Sequence, residues 1–491
     1  MSNGWQHKLG DRFVRPRRTG RFHLKRTLGV IGLFSAGYGD VGSSIYYGLG
    51  LVAIVALGAT PIVLAIAGLI YVSNALTYAE GGAMIPEAGG SASFARRAFN
   101  DLVGFVSGWA LLLSYVATMA ISAYTIPPYL AYFFPVLENP AVGTIVSIGI
   151  IAFLMFVNIV GVRESTRLNV SFVVLDIVTQ ICLVVLGVIL ILGVHPGVLV
   201  EHMFGAGNWP STQNLIYGVA IAALCFTGVE TVSQLAEETL LPSVRIPRAY
   251  FMMIATILVI FAGISIVALS AMTPQTLGDP GTGGWARDPV AGIAANMPSE
   301  TIRSIFAPLV SILAATILLV ATNAGLLGIS RLTFNMSAHQ QFPRFLAKVH
   351  PTFRTPYRAI ALFCLIAVVI LLPGIVNAQG FFTNLGALYV FGDLLCFAFA
   401  HLAIIRLRMT EPLLERPFKL RPNLKIAGRE FPVTALLGLL ATLGVWIIVI
   451  VTQPYSRTAG FIWMGIGVVV FLVFRWRSHL PFFHSARKAK S

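Results

Sequence analysis

Of the nineteen acidic residues in this 491-residue chain, four stand inside long apolar runs that contain no lysine: Asp40, Asp176, Glu230 and Asp393. A carboxylate at mid-bilayer costs roughly 2.5–3.5 kcal/mol on insertion scales, so each needs a reason. It could be a protonated or hydrogen-bonded carboxyl that fixes helix packing, or a site for a cation or a proton. Asp40 lies in Gly37-Tyr38-Gly39-Asp40-Val41-Gly42-Ser43-Ser44. Each glycine weakens a helix by about 1 kcal/mol, and the two serines offer the backbone competing partners. Backbone that leaves the helix at this depth must line a cavity or be buried in protein. The pattern therefore predicts an unwound stretch with carbonyl oxygens beside a carboxylate. Glu230, in Phe226-Thr227-Gly228-Val229-Glu230-Thr231, carries a weaker break signal with a single glycine.

Tyr115, Thr118 and Ser122 are spaced i, i+3 and i+7, which sets three hydroxyls on one helical face. Interhelical hydrogen bonding explains them as readily as ligand binding does. Tyr389 is open in the same way, since tyrosine also fills cores. Asp176 and Asp393 have no adjacent glycine break, which leaves both a proton relay and packing open for each.

Membrane-crossing helices are needed to position these residues. The chain is 57% apolar and only 11% charged, against about 25% charged in soluble proteins. That excludes a soluble enzyme, a disordered chain and a disulfide-rich scaffold. A crossing needs about 20 mostly apolar residues. Twelve runs qualify: Thr27–Leu57, Pro61–Ala79, Leu102–Phe134, Ala141–Val160, Val170–Val194, Asn214–Leu235, Tyr250–Met272, Ile305–Ile329, Ala359–Ile375, Phe382–Ile405, Val433–Thr452 and Gly460–Phe474. The fold class expected is an all-α polytopic membrane protein.

Alternating the runs from a cytoplasmic N-terminus puts 31 of the 34 Lys and Arg on one side. The positive-inside rule then predicts both termini in the cytoplasm, and the net charge of +15 reads as orientation toward anionic headgroups, not as nucleic-acid binding. The first 26 residues are polar and basic, without a signal-peptide pattern. Cys182, Cys225, Cys364 and Cys396 all fall inside runs, at positions suited to small packing residues, so neither a disulfide nor a metal site is expected. Span 1 runs outward and span 6 inward. Each opens a block of five spans and has its break near mid-depth, which is the sequence pointer to an inverted repeat with a site at the midplane.

Four segments then resemble the amino acid–polyamine–organocation transporter superfamily with its LeuT-type fold. They are the glycine break of span 1, Tyr78-Ala79-Glu80…Pro86-Glu87-Ala88-Gly89-Gly90 after span 2, Phe226-Thr227-Gly228-Val229-Glu230, and Ser330-Arg331-Leu332…Pro343…His350-Pro351…Thr355-Pro356-Tyr357-Arg358 after span 8. The resemblance implies a 5+5 inverted repeat plus two C-terminal helices. The chain then divides into a basic tail (1–26), repeats over 27–194 and 195–405, a loop with spans 11 and 12 (406–474), and a second basic tail (475–491). Within the superfamily the sequence resembles the potassium–proton symporters of the KimA and Kup type. That likeness implies cation-binding roles for Asp40, Ser43, Ser44, Tyr47, Tyr115, Thr118, Ser122, Thr227 and Tyr389. Ser114 departs from it, standing where those proteins carry an aspartate, and the C-terminal tail is far shorter. Asp176 falls where proton-coupled permeases of the ApcT type have a lysine.

Two transport functions follow as expectations. The first is proton-coupled import of potassium by alternating access, with Asp40, Glu230, Asp176 and Asp393 as candidates for proton coupling. The other is a proton-coupled amino acid or polyamine permease, in which Asp40 would repel a carboxylate and could pair with an amine. Both place the chain in the plasma membrane, powered by a proton gradient and without a cofactor. An enzyme is not expected, because no nucleophile triad, phosphate loop or metal motif occurs among the intramembrane residues.

Overall fold

The computed structural model describes residues 26–483 apart from 162–165, 282, 344, 347, 354, 377–379 and 427–428. Nearly all of the N-terminal basic tail, and the last part of the C-terminal one, therefore lie outside the described residues. A 55-residue helical run, Val30–Met84, holds the first two crossings and turns at Leu57, whose φ is 46°. The others are Asp101–Leu130, Pro140–Val160, Thr166–Leu192, Thr212–Gln234, Pro242–Ala271, Glu300–Ala338, Tyr357–Val376, Phe381–Thr410, Val433–Thr452 and Pro454–Arg477. These are spans 3 to 12. The architecture is all-helical as expected, with one addition. Asn423–Ile426 and Arg429–Pro432 pair as a short antiparallel hairpin between spans 10 and 11.

Several helices outrun their apolar segments. Span 2 continues to Met84, span 7 begins at Pro242, span 8 reaches Ala338 and span 10 reaches Thr410. Hydropathy stops at the first charge, whereas a helix continues wherever neighbouring helices satisfy that charge. Glu80 is thus a buried acid inside a span, beyond the four in the apolar runs. It accepts from Arg408 Nε at 2.9 Å and from the Leu420 N–H at 2.8 Å, and it also pairs with Arg408 Nη2. Cys182 departs from its expected packing role: it is exposed, unlike the three buried cysteines.

Spans 3 and 10 are the most enclosed, and span 12 the least. Span 12 is tied in by a reciprocal pair: Trp109 Nε1 donates to the Trp463 carbonyl at 2.7 Å, and Trp463 Nε1 donates to the Trp109 carbonyl at 2.9 Å. Gly467 leaves room for the Trp109 indole. The basic end is knit together. Thr27 and Leu28 donate to the Glu238 carbonyl at 2.8 and 3.0 Å, and Arg331 donates to Glu238 Oε1 at 2.9 Å. Arg475 pairs with Asp101 at 2.9 Å. At the opposite end the loop after span 7 lies on span 1, with the Ala286 carbonyl against Gly50 and the Ala53 carbonyl against Gly278.

Removing one partner of a buried ion pair strands the other charge at a cost of about 3–5 kcal/mol. Arg408→Ala is therefore expected to lower the thermal midpoint in detergent sharply. The double change Glu80→Gln with Arg408→Met should recover most of that loss. Equal midpoints for the wild type and Arg408→Ala would show that the pair contributes nothing.

Candidate functional site

Spans 1 and 6 depart from regular helix near mid-depth, but in the opposite order of strength from the glycine count. Span 1 only tightens: Val30–Val41 passes through a 3-10 turn at Gly42–Ser44 into Ile45–Ala56, with helical φ and ψ at Val41 and Ser44. The expected unwound stretch is therefore absent from span 1. Its glycines serve close packing instead. A Cβ on Gly37 would lie 2.5 Å from the Met253 sulfur, and one on Gly42 would lie 2.7 Å from Tyr38 Cζ. Span 6 is broken outright, with Thr227 extended (ψ 162°) and Gly228 at φ +93° between Ala223–Phe226 and Thr231–Gln234.

The break brings span 6 onto Asp40. A Cβ on Gly228 would sit 2.7 Å from Asp40 Cγ, and the Thr231 hydroxyl donates to Asp40 Oδ2. Asp40 Oδ1 has no partner among the described residues. Thr231 escaped the sequence reading, because helical spacing says nothing about neighbours across a broken helix.

Most of the other candidates gather here. Glu230 is fully buried; its carboxyl has the backbone N–H groups of Gly228 and Glu230 beside it but no side-chain donor in hydrogen-bond geometry among the described residues, and the carboxyls of Asp393 and Asp40 act on it. Asp393 Oδ1 accepts from Ser114 Oγ at 3.0 Å, while Oδ2 is unpartnered. Tyr389 faces Asp40, Asp393 and Glu230 as well as Tyr47. Tyr115 faces Glu230 and Asp40. Ser44 Oγ and the Tyr47 hydroxyl are 2.9 Å apart, and Ser122 lies beside Tyr47. The hydroxyl oxygens of Tyr115 and Tyr389 are buried without a hydrogen-bond partner among the described residues, and that of Ser122 has only Tyr47 beside it. Ser43, Thr118 and Thr227 donate to their own helices, at the carbonyls of Asp40 (2.7 Å), Ser114 (2.9 Å) and Leu224 (2.7 Å). Their lone pairs stay free to accept. Among the described residues no Lys or Arg acts on the three carboxyls.

Asp176 is not part of this group. It accepts from Tyr38 at 2.9 Å, from Tyr46 at 2.5 Å and from Gln180 at 2.7 Å. Those three donors occupy the carboxylate, and the two tyrosines flank the tight turn of span 1, so Asp176 holds span 5 to both halves of span 1. Gln180 stands four residues beyond Asp176, a helical spacing that was readable in the sequence; the tyrosines were not.

Asp288, in the loop after span 7, is the titratable group to watch at the face opposite the basic loops. Burial pushes its carboxyl up to about 7; the neighbouring Arg287 guanidinium pulls it down and Glu138 adds to the rise. Between about pH 4 and about 7 the folded loop then keeps a proton that the unfolded chain has lost, so stability falls as pH rises through that window.

Comparison with known proteins sets this geometry in context. Residues 28–473 match a family model described as amino acid permease. The chain is 26% identical over 407 residues to an uncharacterized transporter of Mycobacterium tuberculosis, covering 82% of this chain and 85% of that one. It is 26% identical over 483 residues to the branched-chain amino acid permease BcaP of Bacillus subtilis, covering 93% and 94%. A methylthioribose transporter of the same organism is 27% identical over 425 residues, covering 81% and 84%. Among solved structures, a manganese transporter of Eremococcus coleocola superposes with a TM-score of 0.58 at 11% identity, covering 92% of this chain and 95% of that one. At that identity the likeness concerns the fold alone.

Two measurements test the site as described. Gly228→Ala must bear the left-handed backbone cost of about 1–2 kcal/mol and the overlap with Asp40, so its thermal midpoint should fall. Adding Asp40→Ala should restore only the part due to overlap. Asp288→Asn should flatten the dependence of the midpoint on pH between about 4 and about 7. An unchanged slope would remove Asp288 from the account.

Proposed function

The chain belongs to the amino acid permease family, and on that premise we propose that it is a secondary transporter of amino-acid-type solutes whose ammonium group is held at Asp40. One observation carries the reading. Asp40, Glu230 and Asp393 are buried and near enough to act on one another, each keeps a carboxyl oxygen outside any hydrogen bond of ordinary geometry, and among the described residues no Lys or Arg acts on them. Such a cluster is held at low energy only when positive charge joins it, on a solute or as protons. An ammonium donates three hydrogen bonds, and Asp40 Oδ1 with the hydroxyls of Tyr47, Tyr115 and Ser122 are the acceptors this reading assigns to it. Glu230 and Asp393 are then the groups that carry coupled protons, and Asp176 is left to its clamp.

Transport proceeds by rocking spans 1, 2, 6 and 7 against the others, with Asp40 and Thr231 moving together on the two broken or tightened spans. The basic loops face the cytoplasm of the cell in which the plasma membrane holds the chain. The permease and methylthioribose relatives support a small organic solute.

A potassium ion is the second reading, favoured by the chemistry of the same acceptors. A carboxylate with the lone pairs of Thr118, Ser122 and Thr227 is a hard-oxygen set. Ser114, which departs from the potassium symporters the sequence resembles, donates to Asp393, so a carboxyl occupies that side of the site from span 10.

Proteoliposomes decide between the two. With a proton gradient, uptake of labelled leucine, serine, lysine or putrescine is expected, with rubidium not accumulated. Asp40→Asn should lower uptake at least tenfold while insertion is unchanged. Saturable rubidium uptake with no organic uptake would reverse the choice.

A further inference from the structure

A second group of unpartnered polar side chains lies on the basic side of the central carboxyls. Gln234, four residues beyond Glu230, is 2% exposed, and neither its Nε2 nor its Oε1 has a hydrogen-bond partner among the described residues. A buried amide in that condition is costly, because the hydrogen bonds it lost to water are not replaced. Tyr78 of span 2 and Ser91 of the helix Ser91–Ala98 are fully buried, and their hydroxyls lie beside one another with no further hydrogen-bond partner among the described residues. The carboxyls of Glu230 and Asp393 also act on the Tyr78 hydroxyl. Gly90 closes the group. Its φ is +50°, and a Cβ there would come within 2.9 Å of Ser233 Oγ and 3.1 Å of Gln234 Nε2. The Pro86–Gly90 segment singled out in the sequence thus brings its backbone up to span 6 without a side chain between them.

These groups differ in kind from those at Asp40. An amide and two hydroxyls carry no charge, and each can both donate and accept. We infer that Gln234, Tyr78 and Ser91 form a second binding site, which takes the transported amino-acid-type solute by hydrogen bonds to its polar ends after it leaves Asp40. This rests on the function proposed above. An ammonium drawn into a three-carboxyl cluster needs a neighbouring place that holds it more weakly, or release becomes the slow step. Hydrogen bonds from neutral groups provide that place on the way to the basic face.

The test is side-specific. Proteoliposomes are sorted by orientation and loaded with whichever labelled solute of the panel the wild type accumulates, and KM is measured from each face. Gln234→Leu is expected to raise KM at the basic face roughly tenfold, as loss of a hydrogen-bonding group implies, and to leave it within about twofold at the opposite face. Ser91→Ala should shift the same side in the same direction by less, and it serves where Gln234→Leu does not insert. Equal shifts at both faces, or no shift at either, overturn the second site. Full activity in Asp40→Asn would instead overturn the central site, and the asymmetry in KM is read independently of that result.

Discussion

Buried carboxyls without a matching positive charge are the constraint around which this molecule is arranged. Several acidic groups elsewhere in the bundle are answered. Glu80 has Arg408 and a backbone N–H, Asp101 has Arg475, and Asp176 has three hydroxyl or amide donors. Among the described residues near mid-depth, Asp40, Glu230 and Asp393 instead keep carboxyl oxygens outside ordinary hydrogen bonds. The fold thus satisfies acids that tie helices together and leaves this mid-depth group without a basic partner. A site that binds by charge requires that difference, because a carboxylate already holding its full set of donors has nothing left to offer.

Much of this was legible in the sequence, and the failures share a cause. Apolar length located the crossings, and three of the four isolated acids within those runs come together at the candidate site, because both follow from the cost of polar groups in hydrocarbon. Composition could not say which glycines break a helix and which merely make room. Gly37 and Gly42 sit under Met253 and Tyr38, so a signal read as backbone freedom was a packing signal. The lone Gly228, at φ +93°, is the one that frees the chain. Span ends were misread for a related reason: Glu80 and Arg408 extend spans 2 and 10 past their apolar segments by satisfying one another across helices.

The contact between Asp40 and Thr231 joins the two departures from regular helix. Neither residue's neighbours along its own chain reveal it, since it exists only because Gly228 folds span 6 toward span 1. Asp393 is similar. Its span has no break, and its importance becomes visible only when Ser114 and Glu230 are seen around it. Residues on unbroken helices can thus belong fully to a site built around broken ones.

The stacked indoles of Trp109 and Trp463 set a last condition on how the bundle can move. Each ring reads the backbone of the other helix, so the two contacts act together as a ruler. A slide of span 12 along span 3 by even a fraction of a helical turn would lose both at once. Motions along the shared axis are closed to this pair, leaving only tilts that pivot about it, and spans 3 and 12 must travel as a single strut.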